Sequence, residues 1–142
     1  MKITQLSVFA ENKPGYIIAP CRRLADAGVQ IRALALAETL RFGVLRMIVS
    51  DPDAAATLLQ EAGFVVKATE VLALEVPNRP GGLSEILAAV ENTALNIEYM
   101  YALSLNGHNT VLIFQFTDLD AAIDRLQAAG VSMIVRRELQ EK

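Results

Sequence analysis

Residues 76–83 read VPNRPGGL, and the centre of this stretch occurs twice in the chain. An Asn-basic-Pro-Gly tetrad stands at 78–81 as NRPG and at 12–15 as NKPG. Each tetrad follows an alternating apolar run and precedes apolar residues at helical spacing, so each is predicted to form a strand-to-helix turn. The first N–H groups of a helix lack partners within the helix, and such a turn can therefore hold an anion.

The rest of the chain repeats as well. An offset of 66 residues aligns Leu6 with Leu72, and after the second hairpin the offset becomes 67. Each repeat of about 68 residues has the periodicities of a strand, a helix, two strands, a helix and a short strand. In this split βαβ, or ferredoxin-like, plan both helices lie on one face of an antiparallel sheet. We therefore predict an α+β protein of two ferredoxin-like βαββαβ units, with domains at 1–68 and 69–142.

The two repeats are not identical. The first has Pro20 where the second has Ile86 on the apolar face of the corresponding helix. A proline inside a helix removes a hydrogen bond, so the first helix is predicted to be kinked or to start late. No linker-like segment separates the repeats, and the last strand of the first is predicted to continue into the second across 67–69. In the second repeat we predict strands at 70–76, 96–104, 110–117 and 131–135, and helices at 83–93 and 119–129.

The composition excludes several classes of protein. The 142 residues are 53% hydrophobic and 20% charged, which is typical of a globular protein. No uncharged apolar run approaches the roughly 18 residues of a membrane span, and the start MKITQ lacks the apolar core of a signal peptide. We expect a cytoplasmic protein that does not bind membranes. The net charge of −3 argues against a nucleic-acid partner, because phosphate binding usually requires a basic patch.

No set of residues indicates catalysis, a metal site or a cofactor. His108 is the only histidine, and it follows Asn106 and Gly107 in a predicted hairpin turn, where we expect it to be solvated. One histidine provides neither a metal cluster nor a charge-relay set. The only cysteine, Cys21, falls on the apolar face of the first helix and is expected to act as a small hydrophobic residue rather than a nucleophile. We therefore predict that the protein is not an enzyme.

A side-chain amide accompanies each turn. Asn96 follows Asn78 by 18 residues, and Gln30 follows Asn12 by the same distance. In the predicted plan this amide begins the second strand, and we expect it beside the start of the first helix. Amides and free N–H groups together suit an α-amino acid, whose carboxylate accepts hydrogen bonds and whose ammonium donates them. The alternative is structural, because Asn, Pro and Gly also cap, orient and bend such turns.

These residues resemble the ACT domains, which are small regulatory modules that bind amino acids. Residues 78–83 look like the strand-helix loop of that family, and 94–97 (ALNI) look like its entry into the second strand. Both repeats fit, so the resemblance covers nearly the whole chain and implies a stand-alone tandem ACT protein. Segments 42–46, 49–53 and 97–101 are more particularly similar to small bacterial paired-ACT proteins, some of which resemble regulatory subunits of acetolactate synthase.

In the ACT family the ligand usually lies at an interface between two units, against the strand-helix loop and the start of the second strand. Glu98 is a further candidate, as a partner for a ligand ammonium, although a strand carboxylate can also be simply solvated. Tyr99 and Tyr101 alternate on the same strand and are expected to pack at an interface or to line the ligand. Carried over by position, the family's ligand-binding roles fall on Asn12, Lys13, Gly15, Gln30, Asn78, Arg79, Gly81, Gly82 and Asn96.

The leading functional hypothesis is a non-catalytic amino-acid sensor that forms a homodimer and shifts between two packings when ligand binds. The alternative is a regulatory subunit that docks on an amino-acid biosynthetic enzyme such as acetolactate synthase. Catalysis is disfavoured because no acid, base and nucleophile converge, and RNA binding is disfavoured by the acidity of the chain. Gln30 in place of the family's Asn, together with Pro20, predicts that the two loops are not equivalent.

Overall fold

The structure is a computed structural model that describes residues 2–11, 13–38, 41–105, 109–134 and 140. Asn12 and the turn that contains His108 lie outside the described residues, as do Arg136 and Arg137. Among the described helices, none is long and apolar enough to cross a membrane.

The predicted order of strands and helices is confirmed in both repeats. The α+β, ferredoxin-like fold class follows directly from this order. The predicted continuation across 67–69 is also confirmed, because one strand of 12 residues carries the chain from the first repeat into the second. The elements are β1 (Ile3–Glu11), α1 (Ile18–Asp26), β2 (Ile31–Glu38), β3 (Phe42–Val49), α2 (Pro52–Glu61), β4 (Val65–Val76), α3 (Gly82–Asn92), β5 (Ile97–Leu105), β6 (Asn109–Phe116) and α4 (Leu119–Ala128).

The described chain forms two compact units that share β4. The N-terminal unit contains residues 4–70 with Gln140, and the C-terminal unit contains residues 71–134 with Lys2 and Ile3. The strand order is β2-β3-β1-β4 in the first and β4-β6-β5 in the second. β3 pairs antiparallel with β1 and β2, and β6 pairs antiparallel with β4 and β5. The division into domains at 1–68 and 69–142 stays a prediction.

Each unit buries the side of its sheet that faces its helices. Alternate strand residues point to one face, and helix residues three or four apart point back at them, so two separate apolar clusters form. The N-terminal cluster is built from Leu6, Val8, Leu24, Leu45, Met47, Val49, Ala55 and Leu59. The C-terminal cluster is built from Leu72, Leu74, Val76, Ile86, Val90, Leu112, Phe114, Phe116, Ala122 and Leu126.

The first described helix starts late, which is one of the two outcomes that Pro20 predicts. α3 begins at Gly82, which aligns with Tyr16 at the offset of 66, but α1 begins at Ile18. Pro20 is therefore the third residue of α1, within the first turn, where its missing N–H leaves no helical bond unmade. The late start thus accommodates the proline without a kink in the helix interior.

The end of the chain contributes a side chain to the N-terminal unit. The side chain of Gln140 is buried, and its Oε1 accepts a hydrogen bond from the N–H of Thr4 (3.2 Å). Its Nε2 donates to the carbonyl of Thr4 (2.6 Å), so the amide pairs with β1 as a strand residue would. The predicted last strand at 131–135 is shorter than expected, because its described part is a single bridge between Leu74 and Met133.

Candidate functional site

The loop between β4 and α3 is a tight turn that requires glycine at two positions. The N–H of Arg79 donates to the carbonyl of Pro77 (2.9 Å), and the N–H of Gly82 donates to the carbonyl of Arg79 (2.9 Å). Gly81 has a φ of 86°, in the left-handed region that favours glycine. A Cβ atom at Gly82 would overlap the carbonyl oxygen of Pro77. The helix can therefore begin directly against the end of the strand.

The loop between β1 and α1 has the same hydrogen bonds at its aligned positions. The N–H of Lys13 donates to the carbonyl of Glu11 (2.9 Å), and the N–H of Tyr16 donates to the carbonyl of Lys13 (3.2 Å). Gly15 has a φ of 91°, close to that of Gly81. The Nζ of Lys13 lies 3.6 Å from a carboxylate oxygen of Glu11, and both side chains are largely exposed. The repeated motif thus forms the same backbone turn in both units.

The two helices that follow this turn begin without a side-chain cap. Neither α1 nor α3 has a capping hydrogen bond at its first turn. In contrast, Asp51 caps α2 by accepting a bond from the N–H of Ala54 (3.2 Å), and Asp118 caps α4 by accepting one from the N–H of Ala121 (3.1 Å). Uncapped N–H groups and the positive end of the helix dipole favour an anionic group at α1 and α3.

Arg79 binds a carboxylate within its own unit. Its Nη1 and Nη2 each donate to one carboxylate oxygen of Glu85, at 2.7 Å. These hydrogen bonds and the charge of Glu85 raise the pKa of Arg79, and the hydrogen bonds from Arg79 lower the pKa of Glu85. A ligand that contacts Arg79 would therefore compete with this two-bond ion pair, which links the loop to Glu85 in the first turns of α3.

The prediction that Asn96 lies beside the loop of its own unit is wrong. The carbonyl of Asn96 accepts a hydrogen bond from the N–H of Thr117, just after the end of β6. Val76, which leads into the loop, pairs with Thr110 near the start of β6. Since a strand rises about 3.4 Å per residue, the loop and Asn96 are roughly 20 Å apart along the sheet.

The N-terminal unit repeats this separation. Glu11 pairs with Phe42 at the start of β3, whereas Gln30 exchanges hydrogen bonds with Ser50 beyond its end. The physical reason is the crossover: the helix carries the chain back to the level at which the first strand began. An amide that starts the second strand must therefore lie at the end of the sheet opposite to the turn.

The remaining candidates also lie away from the loops. Glu98 is exposed near the start of β5, where Tyr99 and Tyr101 are half-buried. No three metal-ligating side chains converge in the part of the chain that the structure describes. Cys21 is partly buried, and this burial raises the pKa of its thiol, which disfavours the nucleophilic thiolate. Asn12 cannot be assigned, because it lies outside the described residues.

Each loop borders an open pocket, and the two pockets differ in what lines them. The pocket beside residues 13–18 has a volume of about 500 Å³, and the described residues that line it are those six. The pocket beside the second loop has a volume of about 420 Å³, and it also includes Val76 and Thr110 of the sheet. The loop residues that line the second pocket are Pro77, Asn78, Arg79, Pro80, Gly81 and Leu83.

Some residues that shape the two loops could not be identified from a sequence motif. Glu85 is six residues from Arg79, and only the structure shows that the two bind each other. The difference between the pockets does leave a signal in the aligned repeats. Tyr16 aligns with Gly82 at the offset of 66, and Gly43 aligns with Thr110 at the offset of 67. The first repeat thus has a tyrosine and a glycine at these two positions, and the second has a glycine and a threonine.

Known proteins resemble the whole chain. The family model described as an ACT domain pair matches residues 1–141. The crystal structure of a protein from Bacteroides thetaiotaomicron has a TM-score of 0.91 and 34% identity, over 100% of this chain and 98% of that chain. Among curated proteins, none matches this chain significantly.

Two regulatory subunits of aspartate kinase share the fold at lower identity. The ligand-free subunit from Thermus thermophilus has a TM-score of 0.61 and 16% identity, over 89% of this chain and 91% of that chain. The subunit from Thermus flavus has a TM-score of 0.58 and 15% identity, over 89% of this chain and 92% of that chain. Their likeness to this chain is a likeness of fold.

Proposed function

Because the chain belongs to the ACT domain pair family, we propose that it is a non-catalytic regulatory protein that binds a free amino acid at its strand-helix loops. The observation that carries the proposal is the turn that precedes α1 and α3 alike, with its shared hydrogen bonds and uncapped helix start. This arrangement presents N–H groups to a carboxylate, whereas α2 and α4 of the same chain are already capped by aspartates.

The ammonium of the ligand requires an acceptor that one loop does not provide. Asn96 and Gln30 have the appropriate amides, but each lies at the far end of its own sheet. We therefore propose that a second molecule of the protein brings its amide to the loop of the first, in a homodimer. The ACT resemblance implies the same arrangement, since ligands of that family usually lie between two units.

A ligand shared by two molecules would regulate through their packing. The ligand would shift the equilibrium towards the dimer packing that binds it more tightly, by no more than the difference in its affinity for the two packings. By the same coupling, that packing would bind the ligand more tightly. Each molecule would contribute a carboxylate-binding loop and an ammonium-binding amide. Because the proposed function includes no catalysis, a partner protein would have to recognise the change in packing.

Docking on an amino-acid biosynthetic enzyme is a second candidate function. The observation in its favour is a set of exposed apolar side chains on two strands, Leu34 and Leu36 of β2 and Met100 of β5. Apolar side chains exposed on a strand favour association with another protein. Acetolactate synthase stays a proposal for that enzyme, supported by the resemblance of segments 42–46, 49–53 and 97–101. Co-purification of an enzyme without added amino acid would favour this candidate.

We expect at least one of the twenty common amino acids to stabilise the protein in a thermal-shift panel. A ligand at 100 times its dissociation constant adds about 2.7 kcal/mol to the free energy of unfolding, which such a panel detects. Calorimetric titration of Asn78→Ala should then show weaker binding than the native protein. Asn92→Ala, which changes an exposed residue at the other end of α3, is the matched control. An absence of stabilisation by all twenty amino acids would overturn the proposal.

Arg79 and Glu85 are expected to act on ligand binding as one unit. If their ion pair holds the loop in place, Arg79→Ala and Glu85→Ala should each weaken binding several-fold, and the double variant should weaken it no further. A direct contact between Arg79 and the ligand carboxylate predicts otherwise: Glu85→Ala would then preserve or strengthen binding. Calorimetric titration of the three variants distinguishes these results.

The same pair predicts how pH affects the loop. Because hydrogen bonds from Arg79 lower the pKa of Glu85 in the folded protein, the pair contributes fully above the ordinary glutamate pKa of about 4.3. Its contribution is lost as the pH falls through the lowered pKa. The NMR titration of the Glu85 carboxyl should therefore have its midpoint below the ordinary glutamate value of about 4.3, and Arg79→Ala should raise that midpoint.

A further inference from the structure

We propose that the ligand binds at the loop of the C-terminal unit and that Tyr16 blocks the corresponding space in the N-terminal unit. This inference rests on the proposed amino-acid binding and deepens it, because it states which loop is occupied and how many ligands each chain holds. It begins from the difference between the two pockets, since the described lining of the second includes residues of the sheet and that of the first does not.

In the N-terminal unit an aromatic ring covers the start of β3. Gly43 pairs with Ala10 of β1, and it lies two residues before Leu45 on β3. Because Leu45 belongs to the N-terminal cluster, Gly43 lies on the same face of the sheet, which packs against the helices. A Cβ atom at Gly43 would overlap the ring of Tyr16 and lie 3.2 Å from its hydroxyl oxygen. The ring therefore lies directly on the backbone of β3, and no described residue of the sheet lines the pocket beside the loop.

In the C-terminal unit the same two positions leave this space open. Gly82 has no side chain to place over the sheet, and Thr110, at the position of Gly43, is exposed. Thr110 and its neighbour Val76 line the pocket of about 420 Å³ together with the loop. A ligand whose carboxylate lies at the start of α3 can therefore extend its side chain over the sheet.

The lining of this pocket indicates the class of amino acid. Its one described charged side chain is Arg79, whose guanidinium already binds the carboxylate of Glu85. A ligand with a charged side chain would find no unpaired charge there, and burial of an unpaired charge is costly. The hydroxyl of Thr110 can both donate and accept a hydrogen bond. The pocket therefore fits an amino acid with an uncharged side chain.

The test is a calorimetric titration of the full chain with each of the twenty common amino acids. We expect binding by an amino acid with an uncharged side chain, at one site per chain. Thr110→Val keeps the shape of the side chain and removes its hydroxyl, so it should weaken binding about five- to tenfold. Thr57→Val, a matched change on the exposed surface of α2, should have no effect. Tyr16→Ala should add a second site, and Tyr16→Phe, which keeps the ring, should not.

The outcomes separate this inference from the proposed function. If no amino acid binds to any of these proteins, both fail. If an amino acid binds, then two sites in the native chain, loss of binding in Tyr16→Ala, or an unaffected Thr110→Val overturns this inference alone. Should Tyr16→Ala not fold, Thr110→Val and the number of sites in the native chain decide the question.

Discussion

Gly82→Ala is expected to destabilise the C-terminal unit by about 3 kcal/mol, because the new side chain meets a backbone atom. A Cβ at this position would overlap the carbonyl oxygen of Pro77, which cannot rotate away as the end of a flexible side chain can. The loop must therefore move away from the strand. The same movement should abolish amino-acid binding at this loop, since it displaces the N–H groups at the start of α3.

The neighbouring glycine provides a matched control. Gly81 has a φ of 86°, but a Cβ atom there would have no heavy atom within 4 Å beyond its chain neighbours, so Gly81→Ala introduces conformational strain without an overlap. That strain costs about 1–2 kcal/mol. Urea unfolding of both variants measures the difference. Equal destabilisation by the two substitutions would contradict an overlap at Gly82.

The N-terminal unit indicates how the Gly82→Ala loop should rearrange. Its aligned residue is Tyr16, which has a side chain, and its helix begins two residues later, at Ile18. We therefore expect the first residues of α3 to leave the helix in Gly82→Ala. Hydrogen exchange at the N–H of Ile86, which aligns with Pro20, should report this change. The N–H of Glu85 should stay protected, because the aligned N–H of Ala19 still donates to the carbonyl of Gly15 (3.1 Å).

The fold could be predicted because the two repeats of the chain can be aligned with each other. One irregular position, such as Pro20, says little by itself about where a helix begins. Its alignment with Ile86 showed that it replaces a core residue, and the late start of α1 follows from the chemistry of proline. The apolar residues of β1 and β4 likewise predicted a strand at each place. Consecutive residues of β4 such as Val71 and Leu72 are both buried, so a period of two does not by itself define one buried face.

The geometry of the site could not be predicted from spacing alone. Asn96 follows Asn78 by 18 positions, and the segment between them includes α3, whose 11 residues carry the chain about 16 Å back along the sheet. Equal spacing in both repeats was therefore evidence of shared topology and not of contact. The prediction failed because it placed the start of the second strand beside the start of the first helix, although the helix carries the chain back to the opposite end of the sheet.

Contacts across the sheet were equally inaccessible from the sequence. Tyr16 and Gly43 are 27 residues apart, and only the register of β1 and β3 places the ring on the glycine. Gln140 lies 136 residues from Thr4, near the end of the chain, where a glutamine normally indicates a solvated tail. Such contacts depend on how strands meet, which local propensity does not encode.

Phe114→Ala is expected to destabilise the C-terminal unit by about 3–5 kcal/mol, the usual cost of removing a buried phenylalanine side chain. Phe114 is fully buried and packs against Phe116, with 5.5 Å between the ring centroids. Its side chain belongs to the same cluster as Leu126 of α4 and Ile86 of α3, so its removal leaves a cavity between the sheet and both helices.

Two further substitutions distinguish the free-energy cost of a buried cavity from the cost of removing any phenylalanine side chain. Phe114→Leu preserves much of the volume and should cost about 1.5 kcal/mol or less. Phe42→Ala removes a ring that is 51% exposed in the N-terminal unit and should cost about 1 kcal/mol, because it returns little apolar surface to water. Urea unfolding followed by circular dichroism measures all three. If Phe114→Ala destabilised the protein no more than Phe42→Ala, Phe114 would not lie in the core between β6 and the helices. The position of β6, which also carries Thr110, would then be wrong.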